Sequence, residues 1–274
     1  MRYLALFLSF TLCTGMLWAQ NDTACPKLLD PPVNESLQKQ YNQAVAETKV
    51  PTREHIYKDL TPIIPGVSGK FNKNGQVLLV TWTKCDYFSQ YKQGDSLNLY
   101  GDTWFSVFPE MKEFCNAAKA EDIRLRIAQR LGMPPDSNNN VFVQLWVDLE
   151  DIFRPCPDPE IYDTQCVTRI PFIKQETAKG TPWKNPGPEQ QGDAFMEVDE
   201  SHLQWNRSWW NGAHLDCPRP QSKDECYPWT ALGYTWDWNE ANATHVGGSE
   251  YVVLSGAPVV FDSMTFTDEY CGRN

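Results

Sequence analysis

Two carboxylates and a run of aromatics are the residues of this chain best suited to chemistry. The stretch 227–238 reads Tyr-Pro-Trp-Thr-Ala-Leu-Gly-Tyr-Thr-Trp-Asp-Trp and sets Asp237 between Trp236 and Trp238. Glu250 follows Gly247-Gly248-Ser249 and opens the apolar run Tyr251-Val-Val-Leu. A carboxyl held against aromatic rings loses hydration, which raises its pKa toward the range of a general acid. Two such groups flanking a sugar linkage are what glycoside hydrolysis requires. Asp237 and Glu250 are therefore the expected catalytic pair of a carboxylate-dependent hydrolase acting on a glycan-like substrate. Against that stands the number of acids: with 35 in the chain, some fall beside tryptophan without any such role.

The same stretch can bind without reacting. Tyr and Trp combine a large apolar face with a polar end, so they stack on sugar rings or anchor partners. Trp229, Tyr234, Trp236 and Trp238 are the candidate contacts for a small molecule, a glycan or a protein. The two-residue period of a strand puts Trp236 and Trp238 on one face and Thr235 and Asp237 on the other. The expectation is a core face carrying the tryptophans and an opposite face, bearing Asp237, left open as the site.

Other chemistries have less support. There is no Gly-x-Ser-x-Gly elbow, and His55, His202, His214 and His245 are scattered along the chain. His214-Leu-Asp216 would place two metal ligands on one side of an extended segment, but no His-Glu-x-x-His or Cys-x-x-Cys spacing accompanies it. No cofactor is implied. The chain carries 24 Lys+Arg against 35 Asp+Glu, a formal net charge of −11. That balance excludes phosphate-led nucleic-acid binding and leaves no polybasic patch for an anionic membrane.

Residues 1–19 have the form of a secretory leader: Arg2, an apolar run from Leu4 to Leu12, and the small Ala19 before a polar segment. Without the leader's Cys13, eight cysteines remain, and in an exported chain they read as four disulfides. Cys156 with Cys166 and Cys217 with Cys226 each close a short Pro-containing loop. Elimination then pairs Cys85 with Cys115 and Cys25 with Cys271. Sequons begin at Asn21, Asn34, Asn206 and Asn242.

The elements that must hold these residues are legible in outline. Helical periodicity marks 34–49, 110–118, 121–131 and 201–211. Apolar runs at 76–83, 103–108 and 141–147 predict strands, with a weaker one at 167–172. Gly247-Gly248 reads as a turn, and Ser255-Gly256 as the turn of a closing hairpin, 250–254 with 259–267. The segment 175–192, rich in Pro, Gly, Lys and Gln, reads as a mobile connection. Strands and helices do not alternate regularly enough for a doubly wound sheet. Residues 20–274 are expected to form a single disulfide-stabilised α+β domain with a largely antiparallel sheet and packed helices. The expected role is an exported (secreted or periplasmic) binding or structural module, with the hydrolase as the alternative.

Overall fold

The structure, a computed structural model, describes residues 25–26, 34–166, 173–174, 198–215 and 226–273. The leader, the weak strand expected at 167–172 and the connection at 175–192 lie outside the described residues.

In chain order the strands are β1 (Val77–Thr83), β2 (Ser96–Asn98), β3 (Thr103–Val107), β4 (Val141–Val147), β5 (Ile152–Phe153), β6 (Ile173–Lys174), β7 (Val198–Asp199), β8 (Tyr234–Trp236), β9 (Val246–Ser249), β10 (Tyr251–Val253) and β11 (Pro258–Phe266). The helices are α1 (Glu35–Thr48), α2 (Glu110–Ala117), α3 (Ile123–Arg130), α4 (Glu200–Trp210) and α5 (Thr267–Tyr270). Seven strands form an antiparallel sheet in the order β2-β11-β4-β1-β3-β10-β5. The pairs β6–β7 and β8–β9 stand apart from it. The fold is α+β.

The apolar run of β1 is explained by cover on both faces. Val77 and Leu79 join Val141, Val143, Leu145 and Val147 of β4 in one cluster. Val80 and Trp82 point the other way and pack with Phe142, Met111 and Cys115 of α2 and Ile123 and Ile127 of α3. The α1 helix starts at an Asn34 cap, whose side chain accepts from the Ser36 and Leu37 N–H groups. Its buried stripe of Tyr41, Ala44 and Val45 packs on Tyr234, Trp236 and Trp238.

Three disulfides join Cys25 to Cys85, Cys115 to Cys271 and Cys156 to Cys166. The last is as expected; the other two exchange the partners that elimination suggests. Cys115 sits on the α2 face that packs against Tyr270 and Cys271, a neighbourhood sequence distance does not show. Cys226 is disulfide-bonded, and Cys217 lies outside the described residues.

The closing hairpin also differs. β10 pairs with β3 and β5, whereas β11 pairs with β4 and β2, so β4, β1 and β3 stand between them in the sheet. The turn is real, but the backbone around it bonds to another segment. Gly256 N–H donates to Leu99 O (2.7 Å) and Leu99 N–H to Ala257 O (3.1 Å). Gly247-Gly248 is likewise strand, inside β9. A Cβ on Gly247 would come within 2.3 Å of Arg130 O and 2.4 Å of Thr235 O, so the glycine is what lets α3 and β8 approach.

Candidate functional site

The stretch that opens the sequence argument is layered between two helices. On one side of β8, Trp236 and Trp238 meet α1, with Trp238 edge-on to Tyr41 at 5.8 Å between ring centres. On the other side, Thr235 donates to Arg130 O (2.6 Å), and Asp237 lies against α3. The face expected to be open is covered. Asp237 is 0% exposed and takes both guanidinium nitrogens of Arg126, at 3.1 and 2.7 Å. It also accepts from the Asn239 N–H (3.1 Å) and the Asn242 amide (3.0 Å). Asn239 in turn donates to Gln129 (2.8 Å). Such a carboxylate is a fully satisfied structural ion pair.

Glu250 is in the opposite condition. It is 6% exposed, and its Oε2 and the neighbouring Nε1 of Trp229 are buried short of full hydrogen-bond geometry with any of the described residues. Burial pushes its pKa up to about 8, with only the Trp229 indole acting against the shift. Glu250 N–H donates to Gly233 O, and Asp237 N–H to His245 O, both at 2.9 Å. Gly233 and Asp237 are four residues apart, about 13 Å of extended backbone at about 3.3 Å per residue. Carboxyls that flank a glycosidic bond are about 5 to 9.5 Å apart. The structure does not bring Asp237 and Glu250 together.

Of the four aromatic candidates, two meet at an opening. Trp236 and Trp238 line a cleft of about 160 Å³ together with Gln40, Gln43, Ala44 and Glu47 of α1 and with Glu240 and His245 from the β8–β9 connection. Trp238 spends its indole N–H on Met133 O (2.9 Å), whereas the Trp236 indole N–H is buried with no partner among the described residues. Trp229 packs elsewhere, among Trp210, Ala213 and Ala231. Tyr234 is buried beside Tyr57 and donates to His55 O (2.9 Å).

His245 is the residue that sequence reasoning passed over. Its backbone is left-handed at φ 53°, a conformation uncommon for a residue with a Cβ. A reciprocal clasp holds it there: Asp237 N–H donates to His245 O, and His245 Nδ1 lies 2.9 Å from Asp237 O. Because a carbonyl only accepts, Nδ1 is the donor in this contact. The ring stacks on Trp236 at 4.9 Å and 8°. Thus Asp237 does matter to the cleft: its main chain holds the His245 ring in place while its side chain anchors α3. On α1, Gln40, Gln43 and Glu47 stand at i, i+3 and i+7 on one side of the helix. Gln43 donates to Glu47 (2.9 Å) and fixes that carboxylate. The only signal for these three in the sequence is a polar helical stripe, the commonest pattern of a solvated face.

His214, expected on an extended segment, instead continues α4 in a π-helical turn, Asn211–Leu215. It is buried, with Nε2 3.3 Å from Thr48 Oγ1, and Asp216 lies outside the described residues. Burial holds the His214 pKa below its ordinary value. The one His/Cys/Asp/Glu group among the described residues close enough to share an ion is Cys156, Asp158 and Cys166. Its two sulfurs are joined in a disulfide and offer no thiolate.

Compared with known proteins, the chain matches no family model, no curated protein and no solved structure. The cleft has to be interpreted from its own chemistry.

Proposed function

We propose that the chain is an exported, disulfide-stabilised binding module that captures a small polar ligand in the cleft between α1 and the β8–β9 connection. The carrying observation is the convergence there of two largely buried tryptophans, the clasped His245 and a polar stripe of α1. Three disulfides, and the absence among the described residues of a helix long and apolar enough to cross a membrane, are compatible with an extracytoplasmic site of action. The cleft is smaller than the about 300–1,000 Å³ of a pocket that encloses a drug-sized ligand. It therefore suits one ring or a chain end rather than an extended polymer.

The hydrolase reading has weaker support. Glu250 holds its proton as a general acid must, but it is sealed, and Asp237 is committed to Arg126. A thermal-shift screen of small polar compounds separates the two readings. A binder raises the melting temperature in proportion to saturation, and its effect should vanish in Glu47→Ala/Glu240→Ala, two exposed positions, with no product formed. Product formation abolished by Glu250→Gln would instead establish the hydrolase, and a screen without a single shift would sink the binding reading.

A further inference from the structure

We infer that Asn74 is a site of spontaneous covalent modification, deamidated by the chain's own backbone at the exposed turn that leads into β1. The sequence holds Asn-Gly twice, at Asn74-Gly75 and at Asn211-Gly212. In such a pair the glycine nitrogen can reach the preceding side chain, because glycine has no Cβ to block the approach and its backbone turns freely. A bond forms from Gly75 N to Asn74 Cγ and the Cγ–Nδ2 bond breaks. The amide leaves as ammonia, taking the proton that the Gly75 nitrogen gives up. Water then opens the five-membered succinimide at either carbonyl. One opening leaves aspartate at 74; the other leaves isoaspartate, whose main chain runs through the side-chain carbon. Ammonia out and water in complete the balance, with no oxidant or cofactor.

The two pairs sit in opposite settings. Lys73, Asn74 and Gly75 are exposed, and a Cβ built on Gly75 would meet no atom within 4 Å, so nothing covers the point of attack. The turn is stapled by other side chains: Asn72 Nδ2 donates to Gln76 Oε1 (2.9 Å), and the Asn74 and Gln76 N–H groups donate to Asn72 Oδ1 (2.9 and 3.1 Å). The Asn74 side chain can therefore swing without dismantling it. One bond must open first, Gly75 N–H to Asn72 O at 3.1 Å. It lies at the tip of a solvent-facing turn, where local opening costs little. Asn211-Gly212 instead begins the π-helical turn that continues α4, and both residues are half-buried. Helical backbone, with ψ about −40°, holds the Gly212 nitrogen out of line with Asn211 Cγ and commits N–H groups to earlier carbonyls. At Asn74 the product matters to the fold. Aspartate changes charge alone, but isoaspartate adds a backbone carbon inside a turn whose ends are fixed by Asn72 N–H to Gln76 O (3.0 Å) and by the Phe71–Val77 bridge, at the entry to the central strand β1.

The experiment is a time course of peptide mapping by mass spectrometry. The intact folded protein is kept in warm, mildly alkaline buffer beside the same chain reduced and held in guanidinium chloride. The readout is a one-dalton gain on the peptides carrying Asn74 and Asn211, with isoaspartate resolved by chromatography. In the folded protein Asn74 should convert at least tenfold faster than Asn211. In the denatured chain the two should differ by less than threefold, since each is then followed by an unhindered glycine. Asn74→Gln, whose longer side chain would have to close a six-membered ring, should abolish the acidic form that accumulates with time while leaving the initial melting temperature unchanged. If Asn74 stays intact in the folded protein while the denatured chain converts it, the turn protects it and the assignment is overturned. It is equally overturned if Asn211 keeps pace with Asn74 in the folded protein, because the contrast between open turn and helix then selects neither.

Discussion

Asp237 and Glu250 sit at opposite ends of the β8–β9 pair, both buried, and the protein treats them in opposite ways. Around Asp237, one guanidinium, one amide and one backbone N–H take up the charge. Among the described residues no cation offsets the burial of Glu250, which pushes its pKa up to about 8. The difference teaches that burial alone does not set a carboxyl's surroundings; the partners brought by α3 do. It also relocates the site. The Asp237 end is where the helices leave an opening, and the residues that face it are neighbours of Asp237 rather than its carboxylate.

The largest break in this comparison is Asp237→Ala. It strands the Arg126 guanidinium, which is 19% exposed, against the underside of β8. Removing one member of a buried pair costs about 3–5 kcal/mol, so chemical denaturation should report a loss of about 4 kcal/mol. A change near zero would mean that the pair is not a structural anchor.

Glu250→Gln probes the other end, with a sign that depends on pH. The folded-state pKa of about 8 lies above the ordinary carboxyl value of 4.5. Below 4.5 both states are protonated and burial carries no ionisation penalty. As pH rises from there toward 8, the unfolded chain releases its proton and the folded chain does not, so stability falls. The amide cannot titrate, and its stability relative to the parent should grow across that window, reaching about 3 kcal/mol at pH 7 at about 1.4 kcal/mol per unit. Melts of the two proteins that run parallel from pH 5 to pH 8 would contradict the raised pKa of Glu250. Glu160 acts in the same direction on the parent curve, since burial and the neighbouring Asp163 also raise it to about 8.

Between the two ends, Gly247→Ala tests how tightly α3 and β8 are pressed together. The added Cβ would have to displace Arg130 O and Thr235 O, both backbone atoms that move little. Overpacking of this kind costs about 1–3 kcal/mol. A loss of about 2 kcal/mol is expected, against a smaller one for Gly248→Ala, whose nearest neighbour is a side-chain oxygen of Glu110 at 3.3 Å.

What the sequence could show follows from which forces are local. β4 is delimited by its own apolar run, and α3 by an Asp122 cap and the Ile123/Ile127 spacing. The turn at Gly256 is equally local, yet the strands it joins find their partners by long-range pairing that no spacing encodes. The same limit hid the cleft. Trp236 and Trp238 were visible as aromatic contacts, but Gln40 and Glu47 are nearly 200 residues away in sequence. Which face of β8 stays open depends on α3 arriving with Arg126. A left-handed histidine leaves no mark in its neighbours' types.

That histidine supplies the smallest effect, and the one that links stability to the site. A residue with a Cβ in the left-handed region carries about 1–2 kcal/mol of strain, which glycine avoids and asparagine tolerates. At φ 53° His245 is held by its clasp with Asp237, so the ring's hydrogen bond and its stacking on Trp236 offset that strain. His245→Gly relieves the strain but loses both contacts; His245→Ala keeps the strain and loses the same contacts. The two should therefore differ by about 1 kcal/mol in favour of glycine, read as a difference in denaturation midpoint. Equal stabilities would show that the backbone at 245 relaxes when the ring is gone. The clasp would then be the cause of the left-handed turn rather than its consequence, and the orientation of His245 in the cleft would depend on Asp237 O alone.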